Sequence, residues 1–482
     1  MFKQRLTIVC KILAPLLFIE ALLMLISLCV GLSFDKEDAY AFIYSIALTG
    51  VVALLFYLFT FKEKKIDIDN RSGFLVVSLL WIIVSFFGCL PYFFGGYLSF
   101  TDSFFESISG FTTTGASIIK DVESIPKGIM FWRCLTNGIG GIGIVVIIIS
   151  FLPSLSGGGT RLFSAETAKS SDSKLSPRTK KTGKIIIQIY ISLNIIATLS
   201  LYFGGMSLYD AVCHSFSALS SGGFSTKNAS LAAFSPLLQY IIIVFMFLSG
   251  VNFNLIYFFI KKQYNKIWCN EEFRTYLIFI LVAVVSMFIL TYSDKLSFEE
   301  NFRAVVFQGV SILSSTGLSN ADFFLWSQSA LFILFLLMFC GAMSGSTTGG
   351  LKLVRIIILF KNAKRIIMQS IHSKAITPVK LNGKIVDNQT INNVLVVFLL
   401  FMTTYFIGVV LLLICGVDII ESSRAAISSL ANMGYSDSES GSLHYFPSFS
   451  IGAKWVCISL MYLGRLELVT VVCLFMPSFW KN

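Results

Sequence analysis

Charged side chains are scarce in this sequence. Only 13% of its 482 residues are Asp, Glu, Lys or Arg, whereas a soluble domain usually carries charge at about a quarter of its residues. This shortage excludes water as the main solvent around the chain. Apolar residues make up 55%, and the mean hydropathy is +0.80. The composition therefore predicts an integral membrane protein that lies in a lipid bilayer.

Groups that perform covalent chemistry are also missing. The apolar segments contain no paired acids, no metal-ligand cluster and no activated nucleophile, and the chain has no Walker A motif. These absences argue against an enzyme, against ATP hydrolysis by this chain and against an organic cofactor. The ten cysteines stand singly without a C-x-x-C pair, and we interpret them as small apolar packing residues. A G-x-G-x-x-G run at Gly138, Gly140 and Gly143 lies inside an apolar segment, so helix packing explains it better than dinucleotide binding.

Long apolar runs are abundant instead. Segments of about 20 residues can cross a bilayer core as helices. Ten candidates lie near 7–33, 40–61, 73–97, 128–152, 184–205, 234–260, 275–293, 330–360, 392–416 and 452–478. The first has the basic start of a signal peptide, but its apolar run is too long and no cleavage site follows. We therefore expect a retained first helix with a cytoplasmic N-terminus.

The net charge of +11 is explained by membrane orientation. With the N-terminus inside, the densest basic stretches fall on the cytoplasmic side, as the positive-inside rule predicts. These stretches are 160–184, 261–274 and 352–384. The basic balance thus orients the chain and indicates no nucleic-acid partner.

Four segments between the apolar runs align without a gap and form a diverged internal repeat. They read DSFFESISGFTTTGAS from Asp102, DAVCHSFSALSSGGFS from Asp210, AVVFQGVSILSSTGLS from Ala304 and ESSRAAISSLANMGYS from Glu421. Every copy has Ser in the eighth place, Gly in the fourteenth and Ser in the last. The eighth-place serines are Ser109, Ser217, Ser311 and Ser428, and the closing serines are Ser117, Ser225, Ser319 and Ser436.

The composition of each copy predicts a re-entrant pore loop. About nine residues of amphipathic helix, too short to cross a bilayer, run into a Ser/Thr/Gly tract whose backbone must line a cavity or be buried in protein. Glycine permits dihedrals that turn successive carbonyls to one side, and the helix's negative C-terminal end faces the cavity. Four such loops around one axis would form carbonyl rings that replace a cation's water shell. A single tract would indicate ordinary helix packing, but four in register favour a pore.

The motifs FESISGFTTTGAS, SSGGFST, STGLS and ANMGYSD are similar to the four filters of the Trk/Ktr/HKT superfamily of K⁺ transporters, and most similar to bacterial Trk-type transmembrane subunits. The resemblance implies an all-α membrane protein with ten transmembrane helices, four re-entrant pore helices and four membrane–pore–membrane repeats around one pseudo-fourfold pore. The implied division is an extra N-terminal helix pair at 1–66, followed by pore repeats at 67–160, 161–265, 266–385 and 386–482.

The resemblance also assigns a filter that binds K⁺. Its residues would be Thr113, Thr114, Gly115, Ser221, Gly222, Gly223, Ser315, Thr316, Gly317, Asn432, Met433 and Gly434, flanked by Ala116, Phe224, Leu318 and Tyr435. In HKT relatives, a Ser in place of the first filter glycine accompanies Na⁺ preference. All four glycines are present here, which favours K⁺, although the fourth filter, with Asn432 and Met433, is the least regular.

A second functional element is expected in the third repeat, where GAMSGSTTGG interrupts an apolar run at 341–350. Gly and β-branched Thr break a helix, and the freed backbone needs water or protein partners. The resemblance implies an intramembrane gating loop here, and the alternative is a packing kink. The expected gate residues are Gly341, Ser344, Gly345, Ser346, Thr347, Thr348, Gly349 and Gly350, together with Arg465.

Arg465 lies within the last apolar run, where an unpaired Arg costs about 2.5–3.5 kcal/mol on insertion scales. The family has an arginine here beside the ion path, so we expect an electrostatic barrier held by Glu467 or by loop carbonyls. The alternative is an Arg that reaches toward an interface. Glu106 and His214 share one place in repeats one and two, and a hydrogen-bonded structural histidine is favoured over a titrating switch.

The predicted function is K⁺ uptake across the bacterial inner membrane. The membrane potential supplies about 2.3 kcal/mol per charge per 100 mV, so uptake needs only selectivity and a gate. The resemblance implies a homodimer controlled by a cytosolic nucleotide-binding regulatory subunit on the basic inner face. The alternative is a Na⁺- or H⁺-coupled symporter of K⁺, or of Na⁺ and K⁺ together.

Overall fold

The protein is described by a computed structural model over residues 2–34, 36–61, 70–151, 179–292, 297–323, 326–372, 377–434, 446–466 and 468–480. Its α-helices are Phe2–Phe34, Ala39–Thr60, Asn70–Gly88, Leu90–Phe94, Phe100–Phe111, Lys127–Phe151, Thr179–Phe203, Leu208–Ser220, Pro236–Ser249, Phe253–Ile260, Tyr264–Trp268, Glu271–Thr291, Phe298–Leu313, Gln328–Met338, Leu353–Ile371, Asn388–Ile414, Ile419–Leu430, Ile451–Arg465, Leu468–Phe475 and Pro477–Trp480. Short 3₁₀ helices occupy Ser230–Ala233 and Phe446–Ser448, and an antiparallel pair of strands occupies Lys380–Leu381 and Lys384–Ile385.

Six helices in the described ranges are long and apolar enough to cross a membrane. They are Thr7–Phe34, Ala39–Thr60, Arg71–Phe94, Gly183–Phe203, Glu271–Thr291 and Asn388–Ile414. Two bent pairs, Pro236–Ser249 with Phe253–Ile260 and Ile451–Arg465 with Leu468–Phe475, raise the number to eight. A mostly helical membrane protein is thereby confirmed, while ten crossings stay a prediction.

The ten predicted segments all coincide with helices, but three of them are broken. Residues 234–260 bend by 106° between two helices, 452–478 divide after Arg465, and 330–360 contain a non-helical stretch at 339–352. Hydropathy alone cannot detect such breaks, because a bent span and a straight span have the same apolar content.

Helix Ala39–Thr60 has the reverse of a soluble helix's pattern. Its buried face carries small or hydroxylated residues at four-residue intervals, namely Ala41, Ser45, Thr49 and Ala53, with Phe42 as the one large buried side chain. Its exposed face carries large apolar residues, namely Ile43, Tyr44, Val51, Leu55 and Leu58. Small residues let helices approach closely in lipid, where large apolar side chains gain nothing by burial. The surface pattern therefore agrees with a lipid-facing helix.

The four repeats each contain a short helix, which we call the first to fourth pore helix. They are Phe100–Phe111, Leu208–Ser220, Phe298–Leu313 and Ile419–Leu430, with 12, 13, 16 and 12 residues. The predicted length of about nine residues was too short, because each helix begins upstream of the aligned segment. The N-terminal caps are Ser99, Ser207, Ser297 and Asp418, whose side chains accept backbone N–H groups of the first turn.

Candidate functional site

The loop after each pore helix begins with the same backbone turn. Its first residues, Thr113, Ser221, Ser315 and Asn432, have left-handed φ angles of 54°, 56°, 49° and 50°. This conformation costs a non-glycine residue about 1–2 kcal/mol. The sequence reasoning assigned the unusual dihedrals to glycine alone and missed this position. The available signal was the short polar Ser or Asn in three of the copies, since such residues favour turns.

A hydrogen bond common to all four repeats accompanies this turn. The N–H of the thirteenth residue donates to the carbonyl of the eighth-place serine at 2.8–2.9 Å, in the pairs Thr114–Ser109, Gly222–Ser217, Thr316–Ser311 and Met433–Ser428. Each loop is thus folded back over the C-terminal end of its own pore helix. The four chain segments that align in sequence therefore share one backbone geometry at this point.

The first two loop glycines are packed against the next loop in the chain. A Cβ atom built on Gly115 would lie 1.9 Å from the Gly222 carbonyl oxygen, and one on Gly223 would lie 2.1 Å from that of Thr316. Real Cβ atoms do not approach backbone atoms below 3.0 Å. No side chain fits at either glycine while the neighbouring backbone stays in place.

The glycines of the third and fourth loops also contact a neighbouring loop. A Cβ on Gly317 would meet the main-chain nitrogen of Gly434 at 3.1 Å, and one on Gly434 would lie 2.5 Å from the Thr114 carbonyl oxygen. The first loop therefore contacts the second, the second the third, the third the fourth and the fourth the first. This cyclic order means that the four loops enclose one common axis.

All twelve residues of the sequence-based filter assignment lie in these four loops: Thr113, Thr114, Gly115, Ser221, Gly222, Gly223, Ser315, Thr316, Gly317, Asn432, Met433 and Gly434. The flanking Ala116, Phe224 and Leu318 are buried, whereas Tyr435 and the closing Ser436 lie outside the described residues. Because the four loops contact one another around one axis, main-chain oxygens from several repeats lie near that axis. Such an arrangement can coordinate a dehydrated cation.

Glu106 stabilises the backbone behind the first loop. Its fully buried carboxylate accepts hydrogen bonds from Arg133 Nε at 2.5 Å, from the Ile118 N–H at 2.9 Å and from Ser117 Oγ at 3.1 Å. The guanidinium of Arg133 also lies 3.7 Å from the ring centroid of Phe224 and donates to a second-loop carbonyl at 3.0 Å. The ion pair therefore connects the outer ends of the first and second loops.

His214 occupies the corresponding place in the second repeat. Its Nδ1 lies 2.9 Å from the Asp210 carbonyl oxygen and its Nε2 lies 3.0 Å from Ser225 Oγ. Both ring nitrogens thus have hydrogen-bond partners inside the same repeat, which is the structural role favoured from sequence.

We expect Arg133→Met to destabilise the protein by about 3–5 kcal/mol, because it leaves the Glu106 carboxylate buried and uncompensated. The measurement is thermal unfolding of purified protein in detergent. The matched control is Lys227→Met, since the Lys227–Glu123 pair spans 3.3 Å with both side chains more than a third exposed, and such pairs contribute about 0–1 kcal/mol. Equal shifts for the two variants would contradict a structural role for the buried pair.

The non-helical stretch 339–352 lies directly against the pore-helix ends. Thr347 Oγ1 donates to the Leu219 carbonyl in the second pore helix at 3.1 Å, and the Gly349 N–H donates to Ser315 Oγ in the third loop at 2.8 Å. A Cβ on Gly349 would lie 2.0 Å from the Ala431 carbonyl oxygen in the fourth repeat. The stretch therefore contacts three of the four repeats at once.

All eight loop residues assigned to a gate lie in this stretch: Gly341, Ser344, Gly345, Ser346, Thr347, Thr348, Gly349 and Gly350. The bend of the 234–260 span supplies partners for their backbone. Met343 N–H donates to the Gly250 carbonyl and Phe253 N–H donates to the Gly345 carbonyl, each at 3.2 Å. These bonds satisfy main-chain groups that a continuous helix would have paired internally.

Side chains from two other elements also contact the stretch. The Ser344 N–H and Oγ donate to the Glu272 carboxylate at 2.6 and 2.9 Å, and Asn252 Nδ2 donates to the Ser344 carbonyl at 2.5 Å. Lys352 Nζ donates to Thr348 Oγ1 at 3.1 Å and to its carbonyl. The conformation of the stretch is therefore set by polar contacts, and few of those residues could be identified from sequence.

Arg465 bridges the stretch to the first repeat. One terminal nitrogen donates to the Thr347 carbonyl at 3.1 Å and the other to the Gly140 carbonyl at 2.8 Å. The guanidinium also lies 5.8 Å from the Trp81 ring centroid, and the residue is only 5% exposed. The sequence left two alternatives for Arg465. Its hydrogen bond to the Thr347 carbonyl agrees with an arginine held by loop carbonyls, and its burial disagrees with an arginine that reaches toward a membrane interface. Glu467 lies outside the described residues.

The glycines of the G-x-G-x-x-G run pack between helices. A Cβ on Gly140 would lie 2.1 Å from the Phe111 carbonyl oxygen, and one on Gly138 would lie 3.0 Å from the Phe216 ring. A Cβ on Gly143 would have its nearest neighbour 3.6 Å away, on the Trp81 ring, which is an ordinary contact distance. At the first two positions the packing interpretation agrees with the structure.

A helical membrane chain in which four short helices end in loops around one axis has the architecture of a membrane transport protein with re-entrant loops. The profile of the TrkH family, described as cation transport protein, matches residues 36–482, and the chain belongs to this family. It is a transporter and not an enzyme. The family resemblance noted from the loop motifs is thereby confirmed.

Curated relatives cover nearly the whole chain. The Trk system potassium uptake protein TrkH of Halomonas elongata is 35% identical over 99% of this chain and 100% of its own length. The protein of the same name from Escherichia coli K12 is 33% identical over 87% of this chain and 88% of its own length. The crystal structure of the potassium transporter TrkH from Vibrio parahaemolyticus aligns with a TM-score of 0.88 and 29% identity over 100% of both chains.

Proposed function

We propose that this chain carries K⁺ into a bacterial cell across the inner membrane, through the axis that the four loops enclose. The observation that carries the proposal is the cyclic contact of the four loop glycines, each of which lies against main-chain atoms of a neighbouring repeat. The potassium uptake named for the full-length relatives supports K⁺ as the cargo. Carbonyl rings select K⁺ by replacing its hydration shell.

In this proposal the twelve loop residues form the filter, and K⁺ is the only bound ligand that the mechanism needs. The driving force is the membrane potential, about 2.3 kcal/mol per charge per 100 mV, so that transport requires no coupled ion. An organic cofactor has no role. The division into an N-terminal pair and four pore repeats follows the four loops along the chain.

The stretch 341–350 acts as the gate. Its contacts with Leu219, Ser315 and Ala431, at the C-terminal ends of three pore helices, support a position across the axis. Arg465 holds the Thr347 carbonyl and adds a positive charge to the same region. Opening then requires the stretch to leave these partners.

Control of the gate is assigned to the cytoplasmic face. Helix Leu353–Ile371 follows the stretch directly and carries Lys361, Lys364 and Arg365. A cytosolic nucleotide-binding subunit that docks on this basic surface could pull on the gate through the helix. The homodimer and the cytoplasmic N-terminus belong to the same proposal, and the basic stretch 160–184 would add to that surface. Its residues 160–178 lie outside the described part of the chain.

The experiment is K⁺ flux into liposomes that contain the purified protein. With a K⁺ gradient as the sole gradient, we expect K⁺ to run down that gradient and the membrane potential to approach the K⁺ equilibrium value. Protein-free liposomes are the control. Flux that appears only when a Na⁺ or H⁺ gradient is added would contradict the uncoupled mechanism, and equal Na⁺ and K⁺ flux would contradict the filter.

A further inference from the structure

In the fourth loop, the peptide between Met433 and Gly434 has a different orientation from the corresponding peptides of the other three loops. In two of the four contacts between loops, the glycine faces the thirteenth-place carbonyl oxygen of its neighbour: Gly115 faces that of Gly222, and Gly223 faces that of Thr316. Both contacts of the fourth loop differ: Gly317 faces the main-chain nitrogen of Gly434, and Gly434 faces the carbonyl carbon of Gly115. Opposite Gly317, an N–H group therefore occupies the place that a carbonyl oxygen holds in the first two contacts.

The dihedral angles show the same difference. Gly115, Gly223 and Gly317 have φ angles of 78°, 77° and 78°, whereas φ of Gly434 lies outside the left-handed range. A change of φ at the fourteenth residue accompanies rotation of the peptide that precedes it. The peptide between Met433 and Gly434 is therefore turned relative to its three counterparts.

The eighth-place serine of this repeat holds the turned peptide. Ser428 Oγ donates to the Met433 carbonyl oxygen. Its counterparts bond two residues further along: Ser109 Oγ donates to the Ala116 carbonyl at 2.6 Å, and Ser311 Oγ donates to the Leu318 carbonyl at 2.7 Å. The eighth-place serine thus stabilises the end of the loop in the first and third repeats. In the fourth repeat it instead holds a filter carbonyl close to the pore helix.

We propose that Ser428 is a specificity-determining positioning residue, which holds the Met433 carbonyl out of the ion-coordinating ring. This inference rests on the proposed function of the loops as a K⁺ filter. One level of the filter is then lined by three carbonyl oxygens and one N–H group. A dehydrated K⁺ ion is coordinated less completely there, and discrimination against Na⁺ is weaker than in a fourfold ring.

The turned peptide can reverse without disturbing the rest of the loop. Gly434 accepts a left-handed φ at no steric cost. Asn432, one residue before the peptide, is held separately, because its Nδ2 donates to the Met461 carbonyl at 2.8 Å and to Thr114 Oγ1 at 3.1 Å. Loss of the Ser428 hydroxyl therefore frees one carbonyl while the loop stays anchored.

The test compares Ser428→Ala with Ser109→Ala and Ser311→Ala in liposomes, measuring the ratio of K⁺ to Na⁺ flux. We expect Ser428→Ala to raise the ratio by about three- to tenfold, the range for loss of one hydrogen bond. The two control variants remove the same hydroxyl from bracing positions, so they should lower the ratio. A ratio that rises in Ser428→Ala and falls in the two controls distinguishes a role of Ser428 in selectivity from a general loss of order in the loops.

An unchanged or lowered ratio in Ser428→Ala would overturn the inference. If that variant does not yield folded protein, Ser428→Cys replaces it, since a thiol is only a weak donor: a raised ratio supports the inference and an unchanged one overturns it. Wild-type protein that carries no K⁺ in the same assay would instead refute the proposed function. The two failures are therefore distinguishable.

Discussion

Gly115→Ser is expected to lower the K⁺ to Na⁺ flux ratio by about five- to 140-fold. The new Cβ would lie 1.9 Å from the Gly222 carbonyl oxygen, so the first two loops must move apart and a coordinating oxygen leaves the ring. The left-handed φ of 78° adds strain for a residue with a side chain. Displacements of this kind cost about 1–3 kcal/mol, and each 1.4 kcal/mol is a factor of ten.

Gly96→Ser is the matched control for this variant. Gly96 has a similar φ of 70°, but no atom lies within 4 Å of a Cβ built on it. The control therefore imposes the same backbone strain without the steric clash. We expect it to keep the wild-type flux ratio. An unchanged ratio in Gly115→Ser, in protein that remains folded, would contradict the assignment of the first loop to the filter.

Arg465→Gln is expected to raise basal K⁺ flux by about tenfold when flux is normalised to purified protein. The change removes the charge-assisted hydrogen bonds to the Thr347 and Gly140 carbonyls, each worth about 1.5–3 kcal/mol. It also removes a positive charge that would repel K⁺ near the stretch 341–350. The flux ratio of K⁺ to Na⁺ should stay close to that of the wild type, because the loop carbonyls are untouched.

Arg465→Lys separates the two contributions. Lysine retains the charge, but its compact ammonium group lacks the planar fork that reaches two carbonyls at once. We expect basal flux between that of the wild type and that of Arg465→Gln. Lower protein yield with unchanged flux per molecule in both variants would indicate that Arg465 only stabilises the last helix, which would contradict its role in the gate.

The repeat made much of this architecture predictable. Gly115, Gly223, Gly317 and Gly434 stand at the same place in four aligned segments, and the structure brings all four to one axis. Four equivalent loops around one axis must contact their neighbours in order. The contacts between repeats could therefore be expected without inferring each long-range contact separately. The helical membrane class followed in the same direct way from the shortage of charge.

The parts that could not be predicted depend on local geometry and on partners distant in sequence. Thr113 gives no signal of a left-handed φ, because β-branched residues normally avoid that region. The Arg465 contacts with Thr347 and Gly140 join residues more than a hundred positions apart. The irregular residues Asn432 and Met433 marked the fourth filter as different, but they did not indicate that the peptide after Met433 is turned or that Ser428 bonds its carbonyl.

The most direct test of the filter is to locate the ion. Crystals grown in Rb⁺, which substitutes for K⁺ and scatters anomalously, should show anomalous density on the axis between Gly115, Gly223, Gly317 and Gly434. We expect the density at the level of the thirteenth- and fourteenth-place carbonyls, above the stretch 341–350. Anomalous density at another place, with none between the four glycines, would contradict the account.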